Sequence, residues 1–80
     1  MGREEIFSQV EDIFRDILDE ESLELTEEST ANDVDGWDSL THIQLIVAIE
    51  KHFKIKFTSR EILSWKNVGE LIDSAHSKMT

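Results

Sequence analysis

Gly36-Trp-Asp-Ser-Leu-Thr-His-Ile-Gln-Leu-Ile-Val-Ala-Ile-Glu-Lys-His-Phe53 is the stretch whose reading decides the fold. Asp38 is a good N-cap residue, and an apolar run at helical spacing starts directly behind it. The spacing predicts a helix from about Ser39 to His52. Its apolar positions are too many for one face. Spaced about 100° apart around the axis, they separate into two stripes. Leu45, Ile46, Ile49 and Phe53 form the stripe assigned to the core. Leu40, Ile43 and Val47 form the other, which begins beside Ser39 and is expected to stay partly exposed. An exposed apolar stripe next to a reactive site suggests a docking surface, unless the remaining helices cover both stripes. Ser39 stands at the positive end of this helix, where unpaired backbone N–H groups and the helix dipole favour an anion such as a phosphate group.

Outward toward the N-terminus, Glu21 to Trp37 shows no sustained period. Thr26, Ser29, Thr30, Asn32, Asp33, Asp35 and Gly36 read as loop and turn residues, with Leu23 and Leu25 as candidate core pins. So long a connection in a small domain tends to be functional, and this one leads straight to Ser39. Before it, Ile6, Val10, Ile13, Phe14, Ile17 and Leu18 mark one face of an amphipathic helix, roughly Glu4 to Glu20, with an acidic first turn. Toward the C-terminus, Lys54-Ile-Lys-Phe57 reads as an extended connection anchored by Ile55 and Phe57. Thr58-Ser-Arg-Glu61 fits a capping box and predicts a short helix to Ser64 or Trp65. Asn67-Val-Gly-Glu70 is a second start signal. Val68, Leu71, Ile72, Ala75 and Met79 then mark the inward face of a last helix. The predicted fold is all-α: a small four-helix bundle of three longer helices and one short third helix, in a single domain over residues 1–80.

Charge is unevenly placed. Fourteen of the eighteen acids lie in residues 1–38, against two of the eight bases, within a net charge of −10. Such a chain lacks the basic surface that nucleic acid requires. The acidic half suits basic protein partners and salt-sensitive encounters. There is no cysteine for a disulfide or thiolate metal site, and no apolar run approaches a transmembrane span. The expectation is a cytoplasmic, soluble protein.

Three chemistries compete for the loop and the helix start. An enzyme would combine Ser39, His42 and Asp38, since Ser39 and His42 share a helix face. The sequence shows no orienting acid beyond the histidine, no oxyanion hole and no Gly-x-Ser-x-Gly elbow, and His42 faces more toward the core than outward. An EF-hand with Gly36 at the sixth loop position would put Ala31 first and His42 twelfth, where oxygen ligands are needed. No metal site is therefore assigned. Trp37 and Trp65 read as packing residues, with Trp37 covering the start of the second helix. The third chemistry is attachment of a phosphate-linked group to Ser39.

The string from Gly36 to Phe53 resembles the acyl carrier protein family, and the likeness in length and helix order extends over nearly the whole chain. The resemblance implies a non-catalytic carrier. A separate phosphopantetheinyl transferase would place 4′-phosphopantetheine on the Ser39 hydroxyl, and the thiol of that arm would hold acyl groups as thioesters. Asp38 matches the acid that precedes the serine in the family. Leu40 and Val47 match apolar positions that partner enzymes contact, and Ile43 shares their stripe. The implied partners are acyl-loading, synthase or acyltransferase enzymes of fatty-acid, polyketide or another specialised pathway, meeting a monomer. Departures are visible. Glu50 is the only acid from Ser39 to Phe53, Gln44 and Lys51 stand where acids are expected, and Trp37 replaces a small residue. A specialised carrier fits these better than a general fatty-acid carrier. An aminoacyl or peptidyl carrier, and a helical interaction module without a prosthetic group, remain as alternatives.

Overall fold

The computed structural model describes residues 2–79. Four helices follow one another: α1 Arg3–Leu18, α2 Ser39–Phe53, α3 Ser59–Ser64 and α4 Val68–Met79. No strand occurs among the described residues. The four-helix expectation holds, including the short third helix.

The helix ends follow from local chemistry. α1 stops at Leu18, two residues before the expected Glu20, because Asp19 turns into the left-handed region (φ 55°) and its N–H returns to the carbonyls of Arg15 and Asp16. α2 runs one residue beyond His52. Lys54 caps it in the same left-handed conformation (φ 58°), so the link to Phe57 is not extended from its first residue as the sequence suggests. α3 begins at the expected capping box: the Thr58 side chain accepts from the Glu61 N–H, and the Glu61 side chain accepts from the Thr58 N–H. At the start of α4, the Asn67 Oδ1 accepts from the Glu70 N–H at 3.0 Å.

α1 packs against α2 and α4. Ile6, Val10 and Phe14 from α1 meet Leu45, Ile46 and Ile49 from α2, and Val68, Leu71, Ile72 and Ala75 from α4. Each fully buried large side chain contributes roughly 1.5–3 kcal/mol of transfer free energy, so this cluster is the main source of stability. α3 supplies no buried residue. Phe57, just before it, is buried and meets Trp65 edge-on at 4.8 Å. Trp65 Nε1 donates to Ser74 Oγ at 2.8 Å.

The long connection is pinned along its length. Leu25 is buried and Leu23 partly so. Val34, not foreseen as a core residue, is buried too. Glu11 accepts from the Leu25 N–H at 2.7 Å, and Arg15 Nε donates to the Leu23 carbonyl at 2.7 Å. The Val68 and Gly69 N–H groups, at the start of α4, donate to the Ser29 and Glu27 carbonyls at 3.0 and 2.8 Å. A Cβ on Gly69 would stand 3.0 Å from the Glu27 oxygen, so a side chain here would press the connection outward by a few tenths of an ångström. Arg3 adds ion pairs to Glu27 and Asp73 at 2.7 and 2.8 Å. The connection is thereby held against α1 and α4, and its far end delivers Trp37 and Asp38 to the start of α2.

Candidate functional site

The first turn of α2 is locked to the turn before it. Asp38 is the N-cap, in an extended conformation, and its Oδ1 accepts from the Thr41 N–H at 3.0 Å. The Asp38 N–H donates to Thr41 Oγ1 at 2.8 Å, which completes a capping box. Thr41 Oγ1 donates onward to the Gly36 carbonyl at 2.7 Å. Gly36 sits at φ +86°, where a side chain would be strained. The Thr41 N–H and hydroxyl hold the Asp38 carboxyl below the usual aspartate range, so Asp38 remains an anion. The N-cap is therefore as the sequence predicts. The role of Thr41 is new, because a threonine replaces the usual Glu or Gln of a capping box.

Ser39 is the first residue of α2 and is exposed. Among the described residues nothing hydrogen-bonds its hydroxyl. It borders an open cleft of about 420 Å³ between the start of α2 and the junction of α3 with α4. Trp37, His42, Trp65, Lys66 and Leu71 also line this cleft. The setting suits an anionic group linked to Ser39: a free hydroxyl at the positive end of a 15-residue helix, with the basic residue Lys66 on the lining of the same cleft. The apolar part of the lining offers room for a linear chain beyond the anion.

Trp37 and His42 form a pair that the sequence did not reveal as such. Trp37 packs edge-on against Phe14, with centroids 4.9 Å apart, and is stacked on His42 at 5.9 Å. Its Nε1–H donates to His42 Nδ1 at 3.0 Å. Half-burial pushes the His42 pKa down, which favours the neutral ring. This geometry leaves no relay among Ser39, His42 and Asp38. His42 Nδ1 is engaged by Trp37, the Asp38 carboxylate is turned to Thr41, and no Ser39–His42 hydrogen bond is present. Among the described residues no group of three or more His, Cys, Asp or Glu is arranged to hold a metal ion.

The two stripes of α2 separate as expected. Leu45 and Ile49 are 1% and 0% exposed, whereas Leu40, Ile43 and Val47 are 67%, 61% and 42% exposed. The three lie on one side of the helix that begins at Ser39. Leu63 of α3, at 85%, is a further exposed apolar residue. No periodicity in so short a helix could have singled it out. Among the described residues no helix is long and apolar enough to cross a membrane.

Residues 8–74 match the family described as phosphopantetheine attachment site. The acyl carrier protein of Thermotoga maritima is 31% identical over 78 residues, covering 98% of this chain and 96% of that one. The acyl carrier protein of Clostridium acetobutylicum is 33% identical over 75 residues, covering 91% and 97%. The solution structure of a holo acyl carrier protein from Geobacter metallireducens superposes with a TM-score of 0.87 at 46% identity, over 92% of this chain and 85% of that one. The chain belongs to the acyl carrier proteins, the carriers whose prosthetic group is 4′-phosphopantetheine.

Proposed function

We propose that Ser39 is the attachment point of that arm, and that this single carrier domain presents acyl thioesters to the enzymes of a specialised pathway. The observation that carries the reading is the Ser39 hydroxyl: exposed, unbonded among the described residues and first in α2. In the transfer, Ser39 Oγ would attack the pantetheine-bearing phosphorus of coenzyme A, the pyrophosphate P–O bond would break, 3′,5′-ADP would leave, and the serine proton would pass to the transferase. When bound, the arm supplies a terminal thiol that carries the acyl group. The protein supplies the rest. Asp38 and Thr41 hold the helix start rigid, so Ser39 is displayed in a fixed direction. The α2 N-terminus and Lys66 offset the charge of the phosphodiester. Tethering then raises the effective concentration of the cargo at each partner.

Leu40, Ile43 and Val47 are the partner-binding stripe on this reading, because they are exposed along α2 starting at Ser39. The partners are a phosphopantetheinyl transferase and acyl-loading, synthase or acyltransferase enzymes, met by a cytoplasmic monomer. Glu50, the lone acid of α2, accepts from the Phe57 N–H at 2.8 Å and so serves the fold. Partners that dock on α2 therefore meet an apolar stripe ending at Lys51 rather than a row of acids, which supports a dedicated pathway. Membership of a phosphopantetheine family weighs against an interaction module without the group. Incubation with coenzyme A and a permissive transferase tests the assignment. One phosphopantetheine should be added, and Ser39→Ala should take up none. Uptake by Ser39→Ala would move the site elsewhere.

A further inference from the structure

We propose that His42 is a positioning residue for the prosthetic arm, its Nε2–H donating a hydrogen bond to the phosphate on Ser39 in a tautomer set by Trp37. The inference rests on the attachment reading above and gives a role to a histidine that takes no part in a Ser39–His42–Asp38 relay. An indole N–H can only donate. At 3.0 Å from Trp37 Nε1, His42 Nδ1 must therefore be the unprotonated nitrogen, and the neutral ring carries its proton on Nε2. Among the described residues no protein group hydrogen-bonds Nε2. His42 is half-buried, lies one helical turn from Ser39 and lines the same cleft. The ring cannot swing freely, because Trp37 is stacked on it and is itself held edge-on by Phe14. The structure thus presents an unused donor on the cleft that Ser39 borders, one helical turn from the attachment point. The other charged groups on the cleft are Asp38, turned to Thr41, and Lys66, from between α3 and α4.

Imidazole 1H–15N spectra of the full chain, before and after loading from coenzyme A with a permissive transferase, test this directly. Intact mass establishes that the arm is in place. Before loading, His42 should show the Nε2–H tautomer almost exclusively, and Trp37→Phe should let the Nδ1–H form appear beside it. After loading, the Nε2 resonance should shift, and the His42 pKa should rise by roughly half a unit or more because an anion now faces the ring. That is about a threefold gain in proton affinity. The 31P resonance should titrate with the same pKa, and His42→Gln should abolish that step while helical circular dichroism is retained. A loaded protein whose His42 tautomer, shift and pKa equal those of the unloaded one overturns the inference and leaves the attachment intact. A protein that takes up no arm overturns both. The comparison of unmodified and loaded parent protein decides the matter even if a variant does not fold.

Discussion

Ile49→Ala and Val47→Ala lie two residues apart on α2 and remove similar aliphatic groups, yet the structure separates their effects. Ile49 is 0% exposed and belongs to the cluster shared by α1, α2 and α4. Its truncation removes three carbons, worth about 2.4 kcal/mol at ~0.8 kcal/mol per methylene, and leaves a cavity that adds to the loss. A total of about 2.5–4 kcal/mol follows. Val47 is 42% exposed, so truncation forfeits only about 1 kcal/mol of burial. The better helix propensity of alanine returns roughly half of that. A domain of this size has a margin on the order of 4–12 kcal/mol, so Ile49→Ala takes about a fifth of it or more. At about 4–8 °C per kcal/mol, its melting temperature should fall by at least about 10 °C, and that of Val47→Ala by a few degrees at most. Thermal and urea melts followed by circular dichroism measure both. Equal losses would refute the division of α2 into a core stripe and a free stripe, and with it the docking surface.

Three further outcomes follow from the loop and the charges. Gly69→Ala should cost about 1–3 kcal/mol, because its Cβ would meet the Glu27 carbonyl at 3.0 Å; an unchanged urea midpoint would show that the connection gives way freely. Asp38 and Glu61, whose carboxyls are held below their ordinary ranges by Thr41 and by Lys78 with Thr58, stabilise the fold above the unfolded carboxylate pKa. That contribution should disappear as pH falls through the depressed native values, so Asp38→Asn should flatten the acid limb of the stability curve, and an unaltered limb would count against the cap. Added salt should raise the melting temperature at neutral pH, since fourteen acids in residues 1–38 repel across distances comparable to a Debye length of about 10 Å at 0.1 M. No movement between low and moderate salt would remove charge repulsion as a significant burden.

What the sequence made legible was local. Asp38 at the N-cap, Thr58 with Glu61 and the Asn67 start signal each act within one helical turn, so residue type and spacing suffice. The exposed stripe Leu40, Ile43 and Val47 was legible because α2 carries more apolar residues than one face can bury. Other features depend on elements distant in the chain. Val34 looks like one apolar residue in a polar loop, and only the packed bundle shows it buried. Gly69 acquires its meaning from the Glu27 carbonyl, more than a helix length away in sequence. Trp37 and His42 are five residues apart across a helix start, and their hydrogen bond depends on Phe14 holding the indole from α1. Asp19 ended α1 early by entering the left-handed region, which its residue type permits but does not announce.

Fragmentation of the loaded protein reads whether the arm is carried on Ser39. After transfer from coenzyme A and proteolysis, tandem mass spectrometry reads which hydroxyl bears the phosphopantetheine. A single modified peptide is expected, with the group on Ser39 and with Thr41, Ser29 and Ser59 unmodified. Attachment to any of those three, or a group distributed over several hydroxyls, would contradict the Ser39 assignment.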